Sequence, residues 1–181
     1  SPVKLRTHLN LIIAGLSAVL LGLLVWAQID ATRRGIREEM EAANRVATQV
    51  LSRVAWTYTS AGSVPLLVFL NQLGRVRANN ISLQSPTGHV LYLSPPATYK
   101  AGREAPAWFA RLLVGDPAIR EFALEDGGRL MIESDPSRAV LDGWDDLARL
   151  LIVSAIVVVL ANALAFWLVG RALAPFPVIA E

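Results

Sequence analysis

Tyr99, Lys100 and Arg103 put one aromatic ring and two cations on the irregular stretch SPPATYKAGR, Ser94 to Arg103. Binding groups concentrate on loops held by a rigid scaffold, and an arginine fork can give paired hydrogen bonds to a carboxylate or phosphate. The trio is therefore a candidate ligand-binding site for a small anion. The competing reading has Tyr99 packed, Lys100 solvated, and Arg103 paired with Glu104 or an acid of the last hairpin. Asp142, Asp145 and Asp146 form a second group. On a helix, Asp142 and Asp146 lie one turn apart and could share a divalent cation. The expected reading is plainer: Asp142 faces Arg138 and Asp145 faces Arg149, each at four-residue spacing, in solvated ion pairs worth about 0.3–0.5 kcal/mol.

No pattern points to catalysis. His8 and His89 are the only histidines, and neither stands near a motif that would make it a general base or a metal ligand. No Gly-rich phosphate loop, H-E-x-x-H or G-x-S-x-G occurs. The absence of cysteine excludes disulfides and Cys-ligated metals. The sequence predicts no enzymatic activity, metal site or cofactor in these residues by themselves.

The elements that must carry such groups begin with two apolar blocks. Leu150 to Val169 has no charged residue, and about 20 apolar residues cross a bilayer as a helix. Leu11 to Ala27 is the other block. An uncleaved anchor is expected there rather than a signal peptide, because the run exceeds a usual h-region and no clear A-x-A site follows Trp26. Lys4 and Arg6 precede the first block and Arg171 follows the second, which by the positive-inside rule places both termini in the cytoplasm. Asp30 to Arg149 holds 14 basic and 14 acidic residues, so the high pI is no sign of a nucleic-acid partner. Asn162, alone in an apolar helix, is expected to hydrogen-bond to the first span or to its counterpart in a homodimer, the alternative being its own backbone. Trp26, Trp144 and Trp167 fit interfacial positions.

Between the spans, Asp30 to Ser60 reads as a helix continuous with the first span. Its seam is Ile36, Met40, Ala43, Ala47, Val50, Val54 and Tyr58, which could face its own domain or a second copy. Pro65 opens a shorter helix ending near Gly74. Period-two alternation from Asn79 and across His89 to Leu93, joined by Ser85-Pro86-Thr87-Gly88, predicts a hairpin, with His89 a half-exposed strand residue. Pro106 opens a short helix bearing Trp108 and Phe109. Ile119 to Glu125 and Arg129 to Ser134, joined by Asp126-Gly127-Gly128, form a second hairpin. Asp135-Pro136 then starts a helix with no breaker but Gly143 before the second span. A small antiparallel sheet with flanking helices is the predicted α+β class.

The residues NISLQSPTGHVLYLSPPATYKAGREAPAWFA, followed by GGRLMIESDPSRAVLDGWDD, resemble the LapD/MoxY-type N-terminal sensor domain of bacterial signalling proteins, most closely the versions in front of sensor histidine kinases. GRALAP is similar to the entry of a HAMP linker. The resemblance implies a cytoplasmic tail over 1–10, transmembrane helix 11–29, a periplasmic PAS-like sensor domain over 30–147, transmembrane helix 148–170, and a truncated HAMP start over 171–181. It further implies a homodimer in the bacterial inner membrane, sensing a small periplasmic ligand or a periplasmic protein. Asn162, Arg171 and Pro175 are the expected relay residues toward an output beyond this stretch, a kinase acting on a cytoplasmic response regulator. The alternative is a LapD-like adaptor that binds a periplasmic protein under cytoplasmic control; a third possibility is a structural anchor. A small-ligand sensor predicts an enclosed pocket near Tyr99, Lys100 and Arg103. An adaptor predicts an exposed apolar patch with Trp108 at its edge, and an anchor predicts a buried Trp108.

Overall fold

The computed structural model of the chain describes residues 2–58, 63–76 and 78–172. It falls into two units, Ser1–Asp30 with Asp145–Glu181, and Ala31–Trp144. Two helices run through both: α1 (Pro2–Tyr58) and α4 (Ser137–Ala172).

In the first unit each helix carries a window of mean hydropathy 2.3 or 2.6, none of it buried inside the chain. A helix that is apolar on all sides and uncovered by protein is suited to lipid, so both segments are long and apolar enough for membrane insertion. The Arg6 guanidinium lies 5.5 Å from the centre of the Phe166 ring, so the start of the first apolar helix lies beside the end of the second.

The second unit is α+β. Helix α2 (Ser63–Leu73) is followed by strands β1 (Asn79–Gln84) and β2 (Val90–Leu93), helix α3 (Ala107–Leu113), strands β3 (Ile119–Ala123) and β4 (Arg129–Ser134), and the start of α4. All four strands pair antiparallel in the order β2-β1-β4-β3. Alternation decides which face is covered: Asn79, Ile81 and Leu83 on β1, and Leu130, Ile132 and Ser134 on β4, point inward. Ile81, Leu83, Leu130 and Ile132 meet Leu51 of α1 and Leu66 and Leu70 of α2 in one core. At the 85–88 turn Gly88 takes φ +88°, and in the second hairpin Gly127 takes φ +85°, conformations that favour glycine. His89 precedes β2 and is exposed.

The seam of α1 divides between the two faces open to it. Of the expected seam residues, Ile36 and Ala47 are buried in their own domain and Val50 is exposed; Leu51, outside that seam, is buried, and Val46, also outside it, is exposed. Burial thus follows the three-four spacing except at Val50, which lies outside the covered stripe; of the Tyr58 side chain nothing is described.

Two polar ties fix the helix ends. Asp126, in the β3–β4 turn, accepts from the Ser63 amide at 2.9 Å, from the Ser63 hydroxyl, and from the Gly128 amide at 2.9 Å. It therefore caps α2 from a distant hairpin. The Ser63 hydroxyl and then the Gly128 amide hold its carboxyl below the usual range, against a smaller upward push from burial. Arg75 pairs with Asp135 and also donates to Pro95 O at 2.9 Å and Asn80 Oδ1 at 3.0 Å. Asp135 Oδ1 in turn accepts from the Ser137 amide at 3.1 Å, as an N-terminal cap of α4.

Candidate functional site

The loop from Ser94 to Arg103 is pinned at its start. The Ser94 amide donates to Ile81 O at 2.9 Å, and Ser94 Oγ accepts from the Ile81 amide at 3.1 Å. Its far end makes a turn of unusual hand. Lys100, Ala101 and Gly102 all have positive φ, at 47°, 55° and 75°. The Gly102 amide donates to Tyr99 O at 3.1 Å and the Arg103 amide to Lys100 O at 3.2 Å. A left-handed conformation costs a residue with a Cβ about 1–2 kcal/mol, so Lys100 and Ala101 must be held there by something outside the turn.

What holds them is Asp142 on α4. Lys100 Nζ lies 2.7 Å from Asp142 Oδ1, and the Tyr99 hydroxyl donates to the same oxygen at 2.8 Å. The Arg138 guanidinium stacks over the Tyr99 ring, 4.3 Å from its centre. Partial burial pushes the Asp142 carboxyl up and is the largest single influence. The Lys100 and Tyr99 hydrogen bonds, with the charges of Lys100 and Arg138, together outweigh it and leave the carboxyl below its ordinary value. The four-residue pairings expected along α4 are corrected here. Asp142 is taken by Lys100 and Tyr99 rather than by Arg138, because the loop delivers a cation and a hydroxyl closer than the helix surface can. Arg149 pairs with Asp146, at 3.6 Å and three-residue spacing. Among the described residues no group of three or more His, Cys, Asp or Glu side chains could hold a metal.

An open cleft of about 790 Å³ adjoins this loop, lined by Tyr99, Arg103, Glu104, Arg111 and Arg138. Of the expected trio, Arg103 alone has no side-chain bond to Asp142; it faces the cleft with Tyr99, while Lys100 is turned to the helix. The cleft is within the range of small-molecule sites, but it is open rather than enclosed. On the other side of α4, Trp144 makes edge contacts with Phe109 at 5.2 Å and Trp108 at 5.7 Å. Trp144 therefore belongs to an aromatic cluster and is not simply an interfacial anchor. Trp108 itself stays 52 % exposed, contrary to the buried Trp108 of a plain anchor.

Gly143 follows Asp142 and sits where α4 passes α1. A Cβ there would come within 2.6 Å of the Thr32 methyl, a distance that only a glycine accommodates without displacement. The sequence signal was present, an isolated glycine inside a helical pattern, but not its neighbour. Of the expected relay residues, Asn162 donates to Val158 O at 2.8 Å, one turn back in its own helix, rather than to a neighbouring helix. This is the local bond to its own backbone that was the alternative for this amide. Arg171 stacks over Trp167 at 5.4 Å, and Pro175 lies outside the described residues. No protein-family model, curated protein or solved structure matches the chain.

Proposed function

We propose that the chain is the sensory and transmembrane part of a bacterial receptor, a homodimer in the inner membrane with both termini in the cytoplasm and a PAS-like domain in the periplasm. The observation that carries the reading is the junction at Asp142. A loop beside an open cleft is fastened by Tyr99 and Lys100 to a helix that continues unbroken from Ser137 to Ala172. A cue that binds the cleft with the loop fastened, and not with it released, shifts that equilibrium by its differential affinity. The change is then applied to α4 at Asp142, next to the close contact of Gly143 with Thr32, and carried toward the cytoplasm past Asn162 and Arg171 to a HAMP-type linker. The output is a histidine kinase serving a response regulator.

The deciding experiment uses the full-length parent in membranes with labelled ATP. Acid-labile phosphate on the protein supports the kinase reading, and a Lys100→Met variant should then change its rate. No phosphate on folded, inserted protein removes that reading and moves the weight to the adaptor. The adaptor has its own supporting observation, the half-exposed Trp108 in edge contact with Trp144, since aromatic anchors of this kind dominate protein interfaces.

A further inference from the structure

A second cleft, of about 740 Å³, opens among α1, the C-terminal end of α3 and β3. Five arginines line it, Arg33 and Arg37 and Arg45 from α1 with Arg111 and Arg120, against two carboxylates, Glu41 and Asp116. Two of the five are partly committed. Arg33 donates to Leu112 O from Nε at 3.1 Å and Nη2 at 2.7 Å, closing the end of α3, and Arg111 Nε donates to Ala107 O at 3.3 Å. Arg37 and Arg45 stand four residues either side of Glu41 on the helix, the spacing at which ion pairs form. Among the described residues, however, neither they nor Arg120 are in an ion pair.

A second observation points the same way. Asn44 lines the cleft, is only 7 % exposed, and its amide nitrogen has no hydrogen-bond partner. Buried polar groups are ordinarily satisfied, and an unsatisfied one in a native structure calls for a missing partner. Unpaired cations gathered on low-dielectric walls also raise the local concentration of anions. The cleft has the volume of a small-molecule site.

We propose that this cleft binds a small oxyanion, a carboxylate or phosphate group, between Arg37, Arg45 and Arg120, with Asn44 as a buried donor. The group could belong to a soluble molecule or to an anionic lipid, since Arg33 and Arg37 follow closely on the apolar block Leu11 to Ala27.

The test is calorimetric titration of the full chain, in nanodiscs of zwitterionic phosphatidylcholine, with inorganic phosphate and with succinate. Saturable binding of at least one probe is expected with Kd below about 1 mM. Arg45→Gln and Arg120→Gln should each weaken it about 10-fold, by loss of one charge-assisted hydrogen bond. Both side chains are exposed, so the fold should survive, as circular dichroism would check. Arg129→Gln removes the same charge from the surface pair with Glu121 and should leave the affinity unchanged. Absence of saturable binding by either probe overturns the proposal, as does an equal loss in Arg129→Gln, which would reduce the effect to net charge. Repeating the titration in discs containing phosphatidylglycerol distinguishes the sources. Displacement of the probe by the lipid assigns the site to a headgroup, and undiminished binding assigns it to a soluble anion.

Discussion

Replacing Asp142 by asparagine tests whether the Tyr99 loop is a latch near balance. Two opposing quantities set its position. The left-handed turn costs about 1–2 kcal/mol at each of Lys100 and Ala101, or about 2–4 in all, with Gly102 contributing little. Against it stand the Tyr99 hydrogen bond to a charged acceptor, about 1.5–3 kcal/mol, and the half-exposed Lys100 ion pair, about 0.2–1 kcal/mol after screening by solvent. The terms nearly cancel, so a small perturbation is enough to release the loop. Asparagine keeps an acceptor for Tyr99 but loses its charge and with it the Lys100 attraction, a loss of about 1–2 kcal/mol or 5–30-fold in the fastened population. The assay is native-state hydrogen exchange at the Gly102 and Arg103 amides, which are bonded within the turn to Tyr99 O and Lys100 O. Their exchange should accelerate by that factor while amides of β1 and β4 keep theirs. Unchanged exchange at both amides would refute the latch, and a uniform acceleration across the sheet would replace it with global destabilisation. Ala101→Gly is the converse: it removes the strain at that residue, less about 0.5–1 kcal/mol of chain entropy, and should slow exchange at the same two amides. The pH dependence has a definite sign. The folded Asp142 carboxyl lies below its ordinary value, so the latch has its full contribution above the ordinary carboxylate range and loses it only as pH falls through the lowered value. Release by neutral-range pH changes is not expected.

Three further outcomes follow from the packing. Gly143→Ala gains about 1 kcal/mol of helix propensity but forces a Cβ to 2.6 Å from the Thr32 methyl; with overpacking costing about 1–3 kcal/mol, denaturant unfolding should show a net loss, recovered when Thr32→Ser removes that methyl. Asp126→Ala leaves the Ser63 and Gly128 amides without their acceptor and should cost about 1–3 kcal/mol; since the native carboxyl titrates below its ordinary value, the difference from the natural chain should vanish as pH falls through that lowered value. Single cysteines at Val46 and Val50, on the exposed side of α1, should crosslink in membranes if α1 pairs with a second copy, whereas cysteines at the buried Ile36 and Ala47 should not; crosslinking confined to the buried pair would place the dimer contact elsewhere.

Much of the fold was legible because its signals are local. Alternation marked β1, the Gly88 and Gly127 turns marked both hairpins, and Pro65, Pro106 and Pro136 each stand within the first turn of a helix or just before it. Strand order was not legible. The pairing of β1 with β4, Asn79 with Ser134 through Gln84 with Arg129, joins residues whose separation no periodicity encodes. For the same reason Asp126 read as a turn residue and not as the cap of α2, and Arg75 gave no sign of bridging Asp135, Asn80 and Pro95.

The candidate site divides along the same line. Tyr99 and Lys100 stood out by type and by lying on a Pro- and Gly-rich loop, but a loop's direction is set by what it meets, and Asp142 lies 42 residues beyond Lys100 in the sequence. Helical spacing offered Asp142 to Arg138 instead, a partner correct in register and wrong in outcome. A pair at four-residue spacing on an exposed helix is weak, so a cation and a hydroxyl delivered by another element displace it. Arg138 is left to stack on the Tyr99 ring. The α1 residues of the second cleft, Arg33, Arg37, Glu41 and Arg45, recur at four-residue spacing and so share one helix face. The three dimensions add the end of α3 and the edge of β3 opposite that stripe, together with a buried amide lacking a partner, and these turn a charged helix face into a cleft with a chemistry of its own.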